Sequence, residues 1–279
     1  TCALPISEKI LYQVITPRPA QSHKGTFGRV LIIGGTAEFG GAVIMNAMAA
    51  VYAGAGLVTV ATDTTNFTAL HSHLPEAMVV DFNQDLTTLI QNNDVILIGS
   101  GLGDRLDILQ ATFRAVFPKQ VLIVDGSALT LLAENHINLP HARLVLTPHQ
   151  MEWQRITGIS IAQQAFEAFN VLGRDRLKQM PIVVLKQHHT QIYTSKDIYE
   201  LPIGGPYQAT GGMGDTLAGI IAGFAAQFFL ASLSDVVLAA VYSHSAIADE
   251  LAETQYIVLP TQISQQLPKF MKHYAVTKP

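Results

Sequence analysis

Short, uninterrupted apolar runs recur along the chain, each closed by glycine, proline, aspartate or lysine: RVLIIGG, GLVTVAT, DVILIGS, VLIVDG, RLVLTP and PIVVLK. Runs of this length without polar alternation suit strands buried on both faces, as in a parallel sheet. Between them, residues 41–53, 106–117 and 162–178 are long enough to form crossover helices. The alternation predicts an α/β fold, a central, mainly parallel, doubly wound sheet with helices on both faces. After PIVVLK the pattern changes. TQIYTS and IYELP alternate around Lys196-Asp197 and predict a β-hairpin on the sheet edge. Residues 211–253 read as helical and apolar.

The longest apolar stretch, residues 217–233, contains Gly219, Gly223 and Gln227 and is flanked by Asp215 and Asp235. It falls short of the roughly 20 residues a membrane span needs, so it reads as a buried helix and no membrane partner is expected. No linker or internal repeat interrupts the chain. Residues 1–279 are therefore expected to form a single domain, with residues 1–20 as an N-terminal lead-in and residues 257–279 as a C-terminal tail.

Composition narrows the function. With 49% hydrophobic residues the chain can bury a substantial core, and with 14% charged residues and a net charge of −4 it lacks the basic surface that nucleic acid requires. One cysteine, Cys2, can form neither an internal bridge nor a metal cage, which fits a reducing compartment; the cytoplasm is the expected location. The chain opens TCALPIS without Met, so its native start is left open. Residues 1–279 contain no charged segment followed by an apolar one of the kind that targets a chain.

In open α/β sheets, ligands bind beyond the carboxyl ends of the strands. Those ends carry Gly34-Gly35, Gly99 to Gly103, Asp125-Gly126, Thr147-Pro148-His149, Lys186 to Thr190 and Gly211 to Asp215. The strongest signal is Ala209-Thr210-Gly211-Gly212-Met213-Gly214-Asp215, directly before the apolar helix. Glycines at a helix entrance let a ligand approach the backbone, and free amides with the helix dipole attract an anion, so Gly211, Gly212, Met213 and Gly214 form a candidate anion hole. Asp215, in the first turn, is the candidate base; a plain helix cap is the alternative. No P-loop pattern is present, and Gly99-Ser100-Gly101-Leu102-Gly103 is spaced GxGxG rather than as a dinucleotide fingerprint.

Lys186 emerges where it could meet a nucleotide phosphate, or could simply be a solvated loop lysine. Adjacent His188 and His189 would face opposite ways in a strand and lack a third ligand, which argues against zinc. His149 is placed to bond a substrate carbonyl or amide. Glu152 is placed either to hold water on a nucleotide-bound Mg2+ or to complete a capping box with His149. Asp125 is a secondary candidate, as a metal or substrate carboxylate or a turn-former.

Taken in order, His23-Lys24-Gly25, GRVLIIGG, GGAVIMNAMAAVYAGAGLVTVAT, GSGLGD, VDGSAL, LTPHQMEW, VVLKQHHT, ATGGMGDTLAG and AAVYSHSAIADELA resemble the ADP/ATP-dependent NAD(P)H-hydrate dehydratases, a branch of the ribokinase-like superfamily. The resemblance covers most of the chain. It implies a ribokinase-like single domain without a lid, and repair of NADH or NADPH hydrated at C6 of the nicotinamide ring, driven by ADP or ATP with Mg2+. It also implies a homotetramer and a functional link to an NAD(P)H-hydrate epimerase. By the same resemblance Ala42, Gly103 and His149 hold the hydrated dinucleotide, and Lys186, Gln187, His188, His189, Thr190 and Gly214 hold the adenine nucleotide. Asp215 would serve as catalytic base and substrate contact.

Three positions depart from the family pattern: Ser100 where GPGLG is usual, Ser127 where an aspartate is usual, and Gln187 where KG or KK is common. The second removes a carboxylate near the expected phosphate and metal region, which predicts retained activity with altered Mg2+ or nucleotide affinity. Two other readings stand beside this one. A small-molecule kinase of the same superfamily, acting on a hydroxymethylpyrimidine, thiazole alcohol or sugar, would use the same anion hole and base. A non-catalytic nucleotide-binding relative would keep the fold without turnover.

Overall fold

A computed structural model describes residues 3–276; Cys2 lies outside the described residues. In chain order the elements are β1 (Leu4–Pro5), α1 (Lys9–Val14), β2 (Arg29–Ile33), α2 (Gly40–Tyr52), β3 (Leu57–Thr62), α3 (Phe67–His73), β4 (Met78–Asp81), α4 (Thr87–Gln91), β5 (Val95–Ile98), α5 (Leu106–Ala115), β6 (Val121–Val124) and α6 (Gly126–Glu134). They continue with β7 (Arg143–Leu146), α7 (Gln150–Thr157), α8 (Ile161–Gln164), α9 (Glu167–Arg176), β8 (Ile182–Leu185), β9 (Gln191–Tyr193), β10 (Ile198–Glu200), α10 (Met213–Gln227), α11 (Leu233–Ala252) and α12 (Pro260–Tyr274). The strands form one 10-stranded sheet in the order β1-β10-β9-β8-β7-β6-β5-β2-β3-β4. Pairing is parallel except where β9 meets β8 and β10.

The continuous apolar runs are buried on both sides, as expected. Alternate strand residues serve opposite faces because the side-chain period of a strand is two. Val30, Ile32, Val95, Leu97, Val121 and Ile123 pack with α2, α10, α11 and α12; Leu31, Ile33, Ile96, Ile98, Leu122 and Val124 pack with α5 and α6. The stretch read as one buried helix over residues 217–233 is only partly so: α10 buries its residues from Thr216 to Ala226 but ends at Gln227, and Phe229 and Leu230 stand exposed in the turn before α11. Among the described residues, no helix is long and apolar enough to cross a membrane.

Four expectations about the chain's outer parts need correction. The hairpin of β9 and β10 forms as expected but is not at the edge, since β1 pairs in parallel with β10 through Leu4↔Tyr199. The supposed lead-in therefore supplies an edge strand, and Ile10, Leu11 and Val14 of α1 join the core. The supposed tail contains α12, which buries Ile263, Leu267, Phe270 and Tyr274 at helical spacing despite Pro268 in its interior. Residues 162–178 form two helices, α8 and α9, and the short run MVVD forms an additional edge strand, β4.

The sheet order reverses beside β2. The chain runs outward from β2 to β3 and β4, then returns to place β5 on the other side of β2. Loops after β2 and β5 meet there: the Gly35 amide donates to Ser100 O at 3.0 Å and the Thr36 amide to Gly101 O at 2.8 Å. Such a reversal opens a crevice at the carboxyl ends of the strands, and of the residues singled out in sequence Gly34-Gly35, Ala42 and Gly99 to Gly103 lie there.

Candidate active site

The entrance to α10 is built by Gly212, whose φ of +93° lies in the left-handed region that favours glycine, and a Cβ there would approach Met45 Sδ to 2.3 Å. No side chain caps this helix start. The free amides thus face outward as a charge-complementary surface for an anion. Behind it α10 packs tightly on α2, because Gly219 lets the Asn46 backbone approach; a Cβ at Gly219 would come within 2.3 Å of Asn46 O. The same contact ties Asp215 down, with Asn46 Nδ2 donating to Asp215 O at 2.6 Å.

Around Asp215 lies a buried ionic network drawn from several strand ends. Lys186 Nζ donates to Asp125 Oδ1 at 2.9 Å, Thr147 Oγ1 donates to the same oxygen at 2.6 Å, and Ser100 Oγ donates to Asp125 Oδ2 at 3.0 Å. Asp125 is 2% exposed, so every one of these donors offsets the cost of burying its charge. Burial opposes the Lys186 charge, but Asp125, Glu152 and Asp215 around it hold its ammonium above the ordinary lysine value. Burial first, and the Asp125 charge second, push the Asp215 carboxyl up to about 6, with Lys186 opposing. A carboxylate tuned to that range is matched to accept and return a proton near neutral pH.

His149 and Glu152 form the capping box that sequence left open as one alternative. His149 N donates to Glu152 Oε2 at 2.8 Å, while His149 Nδ1 accepts from the Met151 and Glu152 amides at 3.1 and 3.2 Å. Because Nδ1 is an acceptor, the proton of the neutral ring sits on Nε2, which lies 3.4 Å from Glu152 Oε1. Burial, then Lys186 and Arg155, lower the His149 pKa and keep the ring neutral at pH 7. Burial pushes Glu152 up to about 7, with Lys186 opposing.

A cavity of about 760 Å3 opens beside the α10 entrance and is lined by His149, Lys186, Gln187, His188, His189, Thr190, Met213 and Gly214, together with Gln208, His244 and Ser245. Gly214 is pressed against the network, since a Cβ on it would lie 3.0 Å from Lys186 Nζ. Ala42 and Gly103 lie elsewhere, at the crevice between the β2 and β5 loops: a Cβ on Gly101 would touch Ala42 Cβ at 3.3 Å, and one on Gly103 would touch Thr36 Cγ2 at 3.3 Å. The residues thus divide into two groups; Asp215 is held by Asn46 of α2, the helix that carries Ala42, and its charge acts on Lys186 of the cavity. Gly211 borders open space, since a Cβ there would meet nothing within 4 Å.

His188 and His189 follow β8 in a loop rather than a strand, with their rings 4.1 Å apart edge to face. His189 Nδ1 lies 3.2 Å from Leu201 O. Lys186 is not a free loop cation, since Asp125 engages it. Among the described residues no group of three or more His, Cys, Asp or Glu side chains could hold a metal. A divalent cation would have to enter on its ligand's phosphates, keeping most of its water. Sequence reading understated Asp125, noted Thr147 at its strand end without giving it a role, and did not single out Asn46; the position of Asp125 at the end of VLIVD was the available signal. Ser100 stood out there as a departure from a pattern, and its place in the network came only with the fold. Ser127 contributes a backbone contact, its amide donating to Gly99 O at 3.2 Å.

The family model described as NAD(P)H-hydrate dehydratase matches residues 30–269. An ADP-dependent (S)-NAD(P)H-hydrate dehydratase from Lactiplantibacillus plantarum is 52% identical over 276 residues, covering 97% of this chain and 98% of that protein. The crystal structure of a ribokinase-like superfamily protein from Enterococcus faecalis superposes with a TM-score of 0.94 at 47% identity, covering 98% of this chain and 96% of the other. An ADP/ATP-dependent NAD(P)H-hydrate dehydratase from Bacillus subtilis, co-crystallised with ATP and Mg2+, superposes with a TM-score of 0.83 at 26% identity, covering 98% and 99%. The fold and these likenesses agree, and the chain belongs to the NAD(P)H-hydrate dehydratase family.

Proposed function

We propose that this chain is an ADP-dependent (S)-NAD(P)H-hydrate dehydratase, a hydro-lyase that returns hydrated NADH or NADPH to the reduced cofactor and releases AMP and phosphate. The observation that carries this reading is the position of Asp215: at an uncapped helix entrance beside a nucleotide-sized cavity, tied through Asn46 to the helix that carries Ala42, with a carboxyl raised to about 6. The adenine nucleotide occupies the cavity along Lys186, Gln187, His188, His189, Thr190 and Gly214. The hydrated nicotinamide reaches Asp215 from the side of Ala42 and Gly103, with His149 Nε2 donating to its amide.

Hydroxide is a poor leaving group, and the reaction first improves it. Asp215 accepts the proton of the C6 hydroxyl as that oxygen bonds to the terminal phosphorus of ADP; the bridging P–O bond breaks and AMP leaves. The ring nitrogen's electron pair then expels phosphate from C6, and loss of a proton from C5 restores the dihydronicotinamide. Amides of Gly211, Gly212, Met213 and Gly214 stabilise the charge spread over the transferring phosphoryl oxygens. Mg2+ carried on the nucleotide phosphates would neutralise part of that charge, and Glu152 is the residue that would hold one of its waters.

The exposed apolar residues Phe229, Leu230, Tyr256 and Ile257 support assembly into the homotetramer that the family resemblance implies. The same reading puts the enzyme in the cytoplasm beside an NAD(P)H-hydrate epimerase. The test is Asp215→Asn, with hydrate turnover followed through recovery of dihydronicotinamide absorbance. A folded variant with near-normal turnover refutes the base, and a stable phosphorylated alcohol as product would identify a kinase instead.

A further inference from the structure

Asn46 lies in α2 with its side chain wholly buried, and its two amide atoms fare differently. Nδ2 donates to Asp215 O at 2.6 Å, whereas Oδ1 has no hydrogen-bond partner among the described residues. The orientation is forced, because a carbonyl can only accept and the NH2 group must therefore face it. Inside α10 the helical ladder already supplies that carbonyl with an amide four residues on, so Asn46 fills its second lone pair. A buried amide that leaves its own oxygen unsatisfied costs stability, and an apolar side chain of the same shape would avoid that cost. Fold stability therefore does not account for this asparagine. Its surroundings do. Met45, next to it, closes on Gly212 at the start of α10, where a Cβ would come within 2.3 Å of Met45 Sδ, and the Asn46 carbonyl is pressed against Gly219, one turn beyond Asp215. One turn earlier on the same face of α2 stands Ala42, at the crevice.

We propose that Asn46 is a positioning residue for the base: its hydrogen bond to the Asp215 carbonyl sets the first turn of α10 against α2, and so holds the Asp215 carboxyl in register with a ligand in the crevice beside Ala42. The tie is made to the backbone of the base, so it fixes where the carboxyl starts without touching its charge. The anion-hole amides are seated separately, through Gly212 on Met45, and the residues from Lys186 to Thr190 come from β8 and the loop after it. Loss of the Asn46 bond therefore acts on the reacting geometry rather than on ADP binding. This inference rests on Asp215 being the base.

The experiment uses Asn46→Leu, which keeps the shape and drops both polar groups, and Asn46→Ser, which is smaller and too short to reach the carbonyl. Calorimetry gives Tm and ADP affinity, and hydrogen exchange read by NMR follows the Thr216 amide, bonded to Gly212 O at 2.9 Å. Hydrate turnover with ADP and Mg2+ gives kcat and KM. Expected in both variants is a kcat reduced about tenfold to 100-fold, the range for a reacting group as much as about 1 Å out of place, with ADP Kd unchanged and faster exchange at Thr216. Asn46→Leu keeps the wild-type Tm or exceeds it, and Asn46→Ser decides alone if the leucine variant does not fold. Wild-type kcat in a folded variant overturns the proposal, as does Thr216 exchange no faster than wild type. A kcat loss matched by weaker ADP binding and a lower Tm in both variants also overturns it, because that pattern marks general loosening of the helix pair. Near-normal turnover in Asp215→Asn overturns the base assignment separately, and the Thr216 exchange still judges whether Asn46 holds the turn.

Discussion

The substitution that most directly probes the network is Lys186→Met. It leaves the Asp125 carboxylate, 2% exposed, with the hydroxyls of Ser100 and Thr147 but without the ammonium now 2.9 Å away. Breaking a buried ion pair from one side costs about 3–5 kcal/mol, and the two remaining donors place this case near the lower end, about 3 kcal/mol. For a chain of this size each kcal/mol moves Tm by roughly 2–4 °C, so the midpoint should fall by roughly 6–12 °C. Differential scanning calorimetry measures it. Lys186 also lowers the pKa of Asp215, so its removal moves the acid limb of kcat to higher pH. The double variant Asp125→Asn with Lys186→Met removes both charges and should regain most of the lost Tm. A Tm within about 1 °C of wild type in the single variant, against the cost of a broken buried pair, would refute the reasoning, as would a double variant no more stable than the single one.

Further tests reach the other parts of the site. Asp215 is raised to about 6 from an ordinary 3.8, so the folded state binds more protons than the unfolded chain between these values, and stability falls as pH rises through that window. Asp215→Asn should therefore be more stable than wild type at pH 8 by about 2–3 kcal/mol, at ~1.4 kcal/mol per pKa unit, with the difference gone near pH 4 in urea titrations. His149→Ala should lose about 1 kcal/mol with its cap and raise KM for the hydrate, whereas His149→Asn should keep the stability and still raise KM, because it lacks the Nε2 donor. Gly212→Ala forces a Cβ against Met45 Sδ at φ +93° and should lower stability by more than about 1 kcal/mol while weakening ADP affinity in calorimetric titration.

What the chain's own order of residues determined was local. Continuous apolar runs became parallel strands because only a strand covered on both faces can bury every side chain, and the chemistry appeared at their carboxyl ends because helix starts and loop amides face that edge. Asp215, His149 and the loop from Lys186 to Thr190 were legible for that reason. The outer elements were harder to read. MVVD is too short to signal a strand, Leu4–Pro5 becomes one only by meeting β10, and the polar composition and Pro268 of α12 concealed an apolar face at Ile263, Leu267, Phe270 and Tyr274.

The lateral order of the strands was decided by the tertiary structure alone. That order brings Lys186 onto Asp125 across 61 residues and Ser100 onto Asp125 across 25. Period and propensity report how a segment folds, not which segment lies beside it. The proton affinity of Asp215 depends on that placement, because burial and a second carboxylate act only between groups that the packed sheet has brought together.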